Sequence, residues 1–410
     1  METTADTIDA VSVRRDFPVL QRSINGRTLI YLDSAATSQK PRAMTERISE
    51  LYSREYAKVE EGHTLSTEAT RLFEHAREQL ASLLNAAEPR EILFYRGATE
   101  ALNHVAHAFA RGWLHAGDEV LLTAAEHHSN IIPWLLACRQ TGAVLRAAPV
   151  LESGDLDVDA FEHMLSVRVK LVAVTHASNV TGALFPVKRV TALAHERGIP
   201  VLVDGAQAMP HVPVDVRDIG CELYVGSGHK MGGPSSVGCL YGKAGFLERM
   251  PVGDGGSNMA EWVSFEDFTT RPLPHRHEAG EPAFAEVAAW GAALDYWGRL
   301  GLDRIAAYER DLTAYAAALI ARIRGVRLLG HPSERVSIVS FVVDETPSKD
   351  VERALDRHGI AVRAGTLDAV PMLEALGVRE AVRASFVFYN TRQEADALAD
   401  AVTRIATERK

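Results

Sequence analysis

The sequence predicts an α/β fold: a large unit built on a mostly parallel sheet, followed by a smaller α/β unit. Three observations predict it. Short apolar runs alternate with helix-period segments between residues 91 and 241. Glycine or small-residue turns follow the ends of those runs. Beyond a proline- and glycine-rich stretch at 250–285, a second set of strand and helix patterns begins. A βαβα order of this kind lays parallel strands side by side with helices on both faces.

Taken in order, residues 1–30 read as an arm with little core of its own. A short strand leads into Asp33-Ser34-Ala35-Ala36-Thr37, and an amphipathic helix spans 44–56. Glu60, Glu61 and Gly62 break that pattern before a second helix at 67–84. A strand at 91–95 meets Gly97, and Thr99 opens a helix whose apolar stripe is Leu102, Val105, Ala106 and Phe109. Strands at 119–123, 145–149, 171–175, 201–204, 223–226 and 237–241 follow, with helices from 131, at 158–165 and at 187–197 between them. The stretch 250–285 is turn-rich, and loops of that length inside a compact protein are usually functional or lie at an interface. A long helix at 283–300 leaves the first unit. The second has strands at 336–343, 360–363 and 383–389, a helix capped by Ser348, and a capping box Thr391-Arg392-Gln393-Glu394 opening the last helix. The expected organisation is therefore an arm at 1–30, a large domain at 31–285 and a small domain at 286–410.

Composition narrows the function classes. With 410 residues, 47% apolar and 24% charged, the chain can bury a large core. A net charge of −10 argues against a nucleic-acid partner, which needs a basic patch. No apolar run approaches membrane-spanning length, and residues 1–15 lack a secretory apolar region. Three scattered cysteines, Cys138, Cys221 and Cys239, form no CxxC pair, and no HExxH occurs. These features point to a reducing cytoplasm and to no metal site.

Five short segments carry the chemistry, each after a predicted strand: Gly97-Ala98-Thr99, Glu126-His127-His128-Ser129-Asn130, His176-Ala177-Ser178-Asn179, Asp204-Gly205-Ala206-Gln207 and Ser227-Gly228-His229-Lys230. A glycine turn feeding a helix N-terminus is an anion site. The others add an aromatic ring, an amide, a carboxylate and an amine. A lysine that forms a Schiff base and an aspartate that pairs with a pyridinium nitrogen are what a protein contributes to pyridoxal 5′-phosphate (PLP) catalysis. Strand ends are where open α/β sheets place their chemistry.

On these motifs the chain resembles the fold-type I, class V aminotransferase family, and within it the group II cysteine desulfurases and selenocysteine lyases. The resemblance runs from Phe17-Pro18 and Tyr31-Leu32-Asp33 to Tyr389-Asn390-Thr391. It implies a seven-stranded, mostly parallel sheet, PLP as cofactor, a small-molecule amino-acid substrate and a homodimer with sites at the subunit interface. It implies that Lys230 holds PLP covalently and then moves the α-proton, that Asp204 pairs with the ring nitrogen, and that His127 stacks on the ring. Gln207 and Asn179 would contact the ring oxygen. Ala98, Thr99, Ser227 and His229 would hold the phosphate, His229 having packing beside Lys230 as its alternative role. Arg383 would clamp the substrate carboxylate, a task suited to a bidentate guanidinium, with a surface charge as its alternative role.

The chain departs from the family at its substrate side. Where desulfurases of this type carry a cysteine nucleophile in a Gly-His-His-Cys-Ala-x-Pro loop, this chain has Gly365-Thr366-Leu367-Asp368-Ala369-Val370-Pro371. Val59-Glu60-Glu61 replaces a His-Arg-Gly. Glu281 stands where a threonine normally reaches the neighbouring subunit's phosphate, and a glutamate facing a phosphate is repelled. Asp368 and Glu281 are read as substrate-side residues; for Asp368 a turn-forming role is the alternative. The expected reaction is accordingly α,β-elimination from an S-substituted cysteine, a C–S lyase activity of specialised biosynthesis, and not persulfide-forming desulfuration. Decarboxylation coupled to oxidative deamination, epimerisation, and a silent PLP-fold scaffold are the alternatives.

Overall fold

The computed structural model describes residues 8–407; residues 1–7 of the predicted arm and 408–410 lie outside them. Seven strands form the main sheet: β1 (Ile92–Tyr95), β2 (Glu119–Thr123), β3 (Val144–Ala148), β4 (Val169–Thr175), β5 (Val201–Asp204), β6 (Leu223–Ser227) and β7 (Gly238–Gly242). Their spatial order is β1-β7-β6-β5-β4-β2-β3. Neighbours from β6 to β3 pair in parallel, while β7 runs antiparallel to both β6 and β1. The mostly parallel seven-stranded sheet is as expected. Helices cover both faces, so its central strands are apolar throughout instead of alternating: Val201, Leu202 and Val203 are all fully buried.

The reversal at β7 has a local cause. Only residues 228–237, a 3₁₀ turn followed by a turn through Gly232, Gly233 and Pro234, separate β6 from β7, and a parallel return needs a crossover of a dozen residues or more. Gly238 at the start of β7 is required by the packing, since a Cβ there would lie 2.4 Å from Cα of Gly97.

A four-stranded antiparallel sheet forms later in the chain from β8 (Val326–Leu328), β9 (Ile338–Val343), β10 (Arg363–Gly365) and β11 (Ala381–Ser385), in the order β8-β9-β11-β10. Its own core gathers Phe341, Val382, Ala384, Leu398 and Val402. Residues 30–38 strap this sheet to the large one. Ile30 and Tyr31 pair in parallel with Ile360 and Ala361, and the Ala35 amide donates to Ser385 Oγ. Phe17 anchors the arm by packing on Tyr296, Phe388 and Tyr389. Among the described residues no helix is long and apolar enough to cross a membrane.

Several predicted elements shift. The helix at 44–56 is α-helical only over Arg42–Glu50 and continues as a π-helical turn, Leu51–Glu55. Ser348 is not a cap: Pro347 holds the cap position, and the Ser348 amide is satisfied instead by the Glu380 carboxylate at 2.7 Å. The strand at 383–389 is Ala381–Ser385, because Asn390 Oδ1 takes the Val387 amide and turns the chain. The stretch 250–285 contains a hairpin, Ala260–Val263 with Phe268–Thr270, closed by Ser264 and Asp267. The capping box forms as predicted: Thr391 N donates to the Glu394 carboxylate and Glu394 N to Thr391 Oγ1.

One buried ion pair ties that stretch to the sheet. Arg77, on helix Thr64–Leu83, donates to Glu278 at 2.8 and 3.2 Å and to the Ile92 carbonyl at 2.6 Å, with its side chain 1% exposed. Breaking a buried pair from one side leaves an uncompensated charge and costs about 3–5 kcal/mol. Arg77→Met is therefore expected to lower the denaturant midpoint by a corresponding amount. Adding Glu278→Gln to that variant is expected to restore part of the loss. An unchanged midpoint in Arg77→Met would refute the argument.

Candidate active site

The C-terminal ends of β4, β5 and β6 converge with the turn after β1 on a cavity of about 300 Å³. Asp204 closes β5 and Ser227 closes β6. Gly228–Lys230 then makes one 3₁₀ turn, which carries Lys230 to the cavity floor. After β1, Gly97 adopts φ 147° and releases the chain into helix Ala98–Gly112, whose N-terminus faces the cavity. Lys230, Asp204, His127, Asn179, Gln207, Ala98, Thr99, Ser227, His229, Arg383 and Asp368 all line this one cavity. Segments up to 285 residues apart in sequence, Ala98 to Arg383, thus meet in one place.

Charge is concentrated at the floor. Burial pushes the Lys230 amine down to about 8, and nearby Asp204 opposes that shift. Burial pushes the Asp204 carboxyl up, while the Ala206 amide, donating at 3.0 Å, and Lys230 hold it down. His127 is pushed down to about 4 by burial and by Lys230, so its ring is neutral at pH 7. Its Nδ1 accepts from Ser129 N at 3.1 Å, which fixes the ring's orientation. His229 is likewise pushed down to about 4, and its carbonyl accepts from Ser38 N, Thr37 Oγ1 and Lys40 Nζ.

Arg383 stands opposite on β11 with its side chain 4% exposed. Nη1 donates to the Asn179 carbonyl at 3.0 Å and Nη2 reaches Asp33 at 3.5 Å, while Nε has no partner. Asn179 Oδ1 and Gln207 Oε1 are also buried without a donor. Buried polar groups are rarely left unpaired in a folded chain. Here two acceptors and a cationic donor are unpaired around one cavity beside an amine and a carboxylate. A ligand carrying both acidic and basic groups fits that set, and PLP with an amino acid is such a ligand.

Expectations change at Ala98 and at Glu281. Ala98 N donates to Ser227 Oγ at 2.9 Å, so an anion there would have to share that donor. His128 is structural: its Nε2 accepts from Val370 N and its amide donates to the Asp368 carbonyl. Glu281 does not join the others in this chain. It is exposed and edges a separate cavity with Tyr95, His104 and Asp254, because Gly280, at φ 92°, bonds back to the Ser257 carbonyl.

Sequence reasoning assigned no role to four residues that the structure brings in. Asp33 receives Arg363 at 2.7 Å as well as Arg383, so one carboxylate orients two guanidiniums. Arg363 lines the cavity mouth. Lys40 reaches the carbonyl just before Lys230 at 2.7 Å. Glu126, buried and pushed up to about 8 by burial, gathers Thr123, Asn130 and the Thr175 amide and so fixes the turn that presents His127. Asp33 and Glu126 lay inside the motifs already noted, and that position was the available signal.

A sheet of this topology with a lysine, an aspartate and a stacking histidine at its strand ends defines a fold-type I PLP enzyme. The class V aminotransferase model matches residues 30–398, and the chain belongs to that family. It is 44% identical over 395 residues to a cysteine desulfurase of Cronobacter sakazakii, covering 96% of this chain and 97% of that one. It is also 44% identical over 402 residues to a probable cysteine desulfurase of Mycobacterium leprae, covering 98% of this chain but 66% of that protein's length. The structure of the cysteine desulfurase CsdA from Escherichia coli superposes with a TM-score of 0.89 at 37% identity, over 97% of this chain and 98% of that one. PLP is the cofactor of this family, and the residues present fit it.

These relatives overturn the elimination reading, and with it the exclusion of persulfide-forming desulfuration. The reason is physical. Asp368 is one exposed side chain at the rim, whereas the bond broken in PLP chemistry is governed by the groups around the reacting carbon. Lys230, Asp204, His127 and Arg383 all line the cavity. Position 368 lies at the rim, with its side chain 72% exposed, and the floor groups are all present beneath it.

Proposed function

We propose that this chain is a PLP-dependent cysteine desulfurase, moving sulfur from free cysteine to a thiol as a persulfide and leaving alanine. The observation that carries the reading is the pairing of Lys230 and Asp204 at adjacent strand ends with Arg383, its Nε unpartnered, across the cavity. The names of the relatives support it. Bound at this floor, PLP supplies an electron sink for the reacting amino acid.

The chain's own groups do the rest. Arg383 takes the substrate carboxylate and so fixes the amino acid relative to Lys230. Lys230, with its amine pushed down to about 8, exchanges protons near neutral pH. It removes the α-proton and later delivers one to the β-carbon. Asp204 would pair with the ring nitrogen, and neutral His127 would cover the ring. The division at residue 285, with the cofactor on the larger part and Arg383 on the smaller, belongs to the same proposal. So does a homodimer, supported by the exposed Trp262, Val263, Phe265 and Phe268 of the hairpin.

The test is incubation of the holoenzyme with cysteine and dithiothreitol, with alanine, sulfide and pyruvate all assayed and the mass measured by light scattering. Alanine and sulfide in equal amounts from a dimer are expected. Pyruvate as the main carbon product would overturn the reaction, and a monomer would overturn the assembly.

A further inference from the structure

We propose that the sulfur is taken by a small thiol that enters from solvent at the rim formed by Asp368, and by no cysteine of this sequence. The inference rests on the desulfurase reading and adds its second substrate.

The chemistry requires an acceptor. A thiolate attacks Sγ of the bound cysteine, and an S–S bond forms as the Cβ–Sγ bond breaks. The electron pair of the broken bond stays on Cβ, where a proton from Lys230 completes the methyl group of alanine. The acceptor thiol loses its proton to solvent before attack, and the substrate's own S–H proton stays on the persulfide. Sulfur is oxidised and Cβ reduced in the same step, so no further oxidant or reductant is needed.

None of the three cysteines can be that nucleophile. Cys138 packs within helix Ile132–Thr141 among Trp134, Phe109 and Leu122. Cys221 precedes β6, at the opposite end of that strand from Lys230. Cys239 lies inside β7, paired with Gly226 and Phe94. All three are buried and none lines the cavity. Burial also pushes their thiols up, to about 11 for Cys138 and about 12 for Cys221 and Cys239, which leaves little thiolate at neutral pH.

The rim shows where an outside thiol would come in. Leu367 and Asp368 both take left-handed backbone, at φ 53° and 52°. Such conformations in non-glycine residues persist only where the surroundings enforce them. Here the site's own residues do so: Asn179 Nδ2 donates to the Leu367 carbonyl at 2.7 Å and His128 N to the Asp368 carbonyl at 2.7 Å, while Val370 N donates to His128 Nε2 at 3.2 Å. The loop is thereby fixed with the Asp368 side chain 72% exposed yet 3.8 Å from His127 Nε2. One side chain thus faces both solvent and the ring-covering histidine. Arg363 stands on the same rim, half-exposed and held by Asp33 at 2.7 Å, and puts a guanidinium beside the entry.

The experiment supplies one equivalent of cysteine to holoenzyme free of reductant, with and without excess dithiothreitol, and reads alanine together with the intact and peptide masses of the chain. Without dithiothreitol, the wild-type chain is expected to carry no added sulfur and to yield little alanine; with it, alanine is expected to rise at least tenfold. Asp368→Cys is expected to yield up to one alanine per chain without dithiothreitol, with an added sulfur atom on the peptide containing position 368. Added sulfur on Cys138, Cys221 or Cys239 of the wild type would overturn the proposal while leaving the desulfurase reading intact. So would turnover by Asp368→Cys alone, with none by the wild type plus dithiothreitol. Absence of alanine from both proteins under all conditions would sink the reading itself, and the proposal with it. A third arm replaces dithiothreitol with a reduced thiol-bearing protein; a faster rate with that protein would overturn the small acceptor.

Discussion

Lys230→Ala is expected to reduce alanine formation from cysteine by about 10⁴-fold, the upper range for a single proton-transferring group. The variant loses the only amine at the cavity floor among the described residues lining it, and with it both the covalent hold on PLP and the group that moves protons between Cα and Cβ. Sodium borohydride reduction offers a readout independent of turnover. In the wild type it should fix the cofactor irreversibly to the peptide containing Lys230, and in the variant cofactor should be lost on dialysis. The pH dependence of loading adds a second check. Only the unprotonated amine attacks the cofactor's aldehyde. An ordinary lysine, with a pKa near 10.4, would load faster up to about pH 10. Because burial pushes Lys230 down to about 8, the rate of loading of apo-protein should rise with pH and level off just above 8. A plateau only near 10 would show that the floor is wetter than its geometry implies. Label recovered on Lys40, whose amine burial also pushes down to about 8, would move the attachment point.

The strand ends were the legible part of the site. Asp204, Ser227, Thr175 and Gly97 follow apolar runs whose lengths and turns are local signals, so their common placement could be reasoned from strand order alone. The reversed strand β7 was less legible, because hydrophobicity does not report direction; the shortness of the turn after Lys230 does. What stayed hidden depends on contacts between distant segments. Asp33 and Arg363 lie 330 residues apart, and Lys40 sits in a loop without periodicity, aimed at a carbonyl. Glu126 was visible only as the residue before a candidate histidine; its burial and three donors come from the surrounding fold.

The error about the reaction has the same origin. Reading Asp368 as decisive gave one position in a loop the weight that belongs to the residues around the reacting carbon. The structure shows why the loop tolerates the change. Its backbone is pinned by Asn179 and His128 whatever side chain stands at 368, and that side chain is mostly in water. On the proposed function, a carboxylate there changes what can act as sulfur acceptor, while Lys230, Asp204 and Arg383 still line the cavity. On that reading the altered position bears on the second half of the reaction and not on the first.

Arg383→Ala is expected to lower kcat/KM for cysteine by on the order of a hundredfold, about 2–4 kcal/mol, with most of the loss in KM. The argument is one of unpaired charge. Nη2 is only 3.5 Å from Asp33, which is shared with Arg363, and Nε has no acceptor, so the guanidinium is incompletely neutralised within the chain. Burial, with the Arg363 charge adding to it, pushes it down to about 10 against the opposing Asp33. A substrate carboxylate arriving there completes the coordination. Arg383→Lys should recover only part of the loss, since an ammonium cannot reproduce the fork that reaches Asn179 and the substrate together. A structural role would act differently: losing the 3.0 Å bond to the Asn179 carbonyl would loosen the cofactor site and weaken PLP binding. Cysteamine, which is cysteine without its carboxylate, separates the two. Wild type should prefer cysteine over cysteamine by about the same hundredfold, and Arg383→Ala should lose that preference while binding PLP as before. If the variant kept its preference for cysteine, the carboxylate would have to be held elsewhere, and Arg363 at the mouth would be the residue to test next.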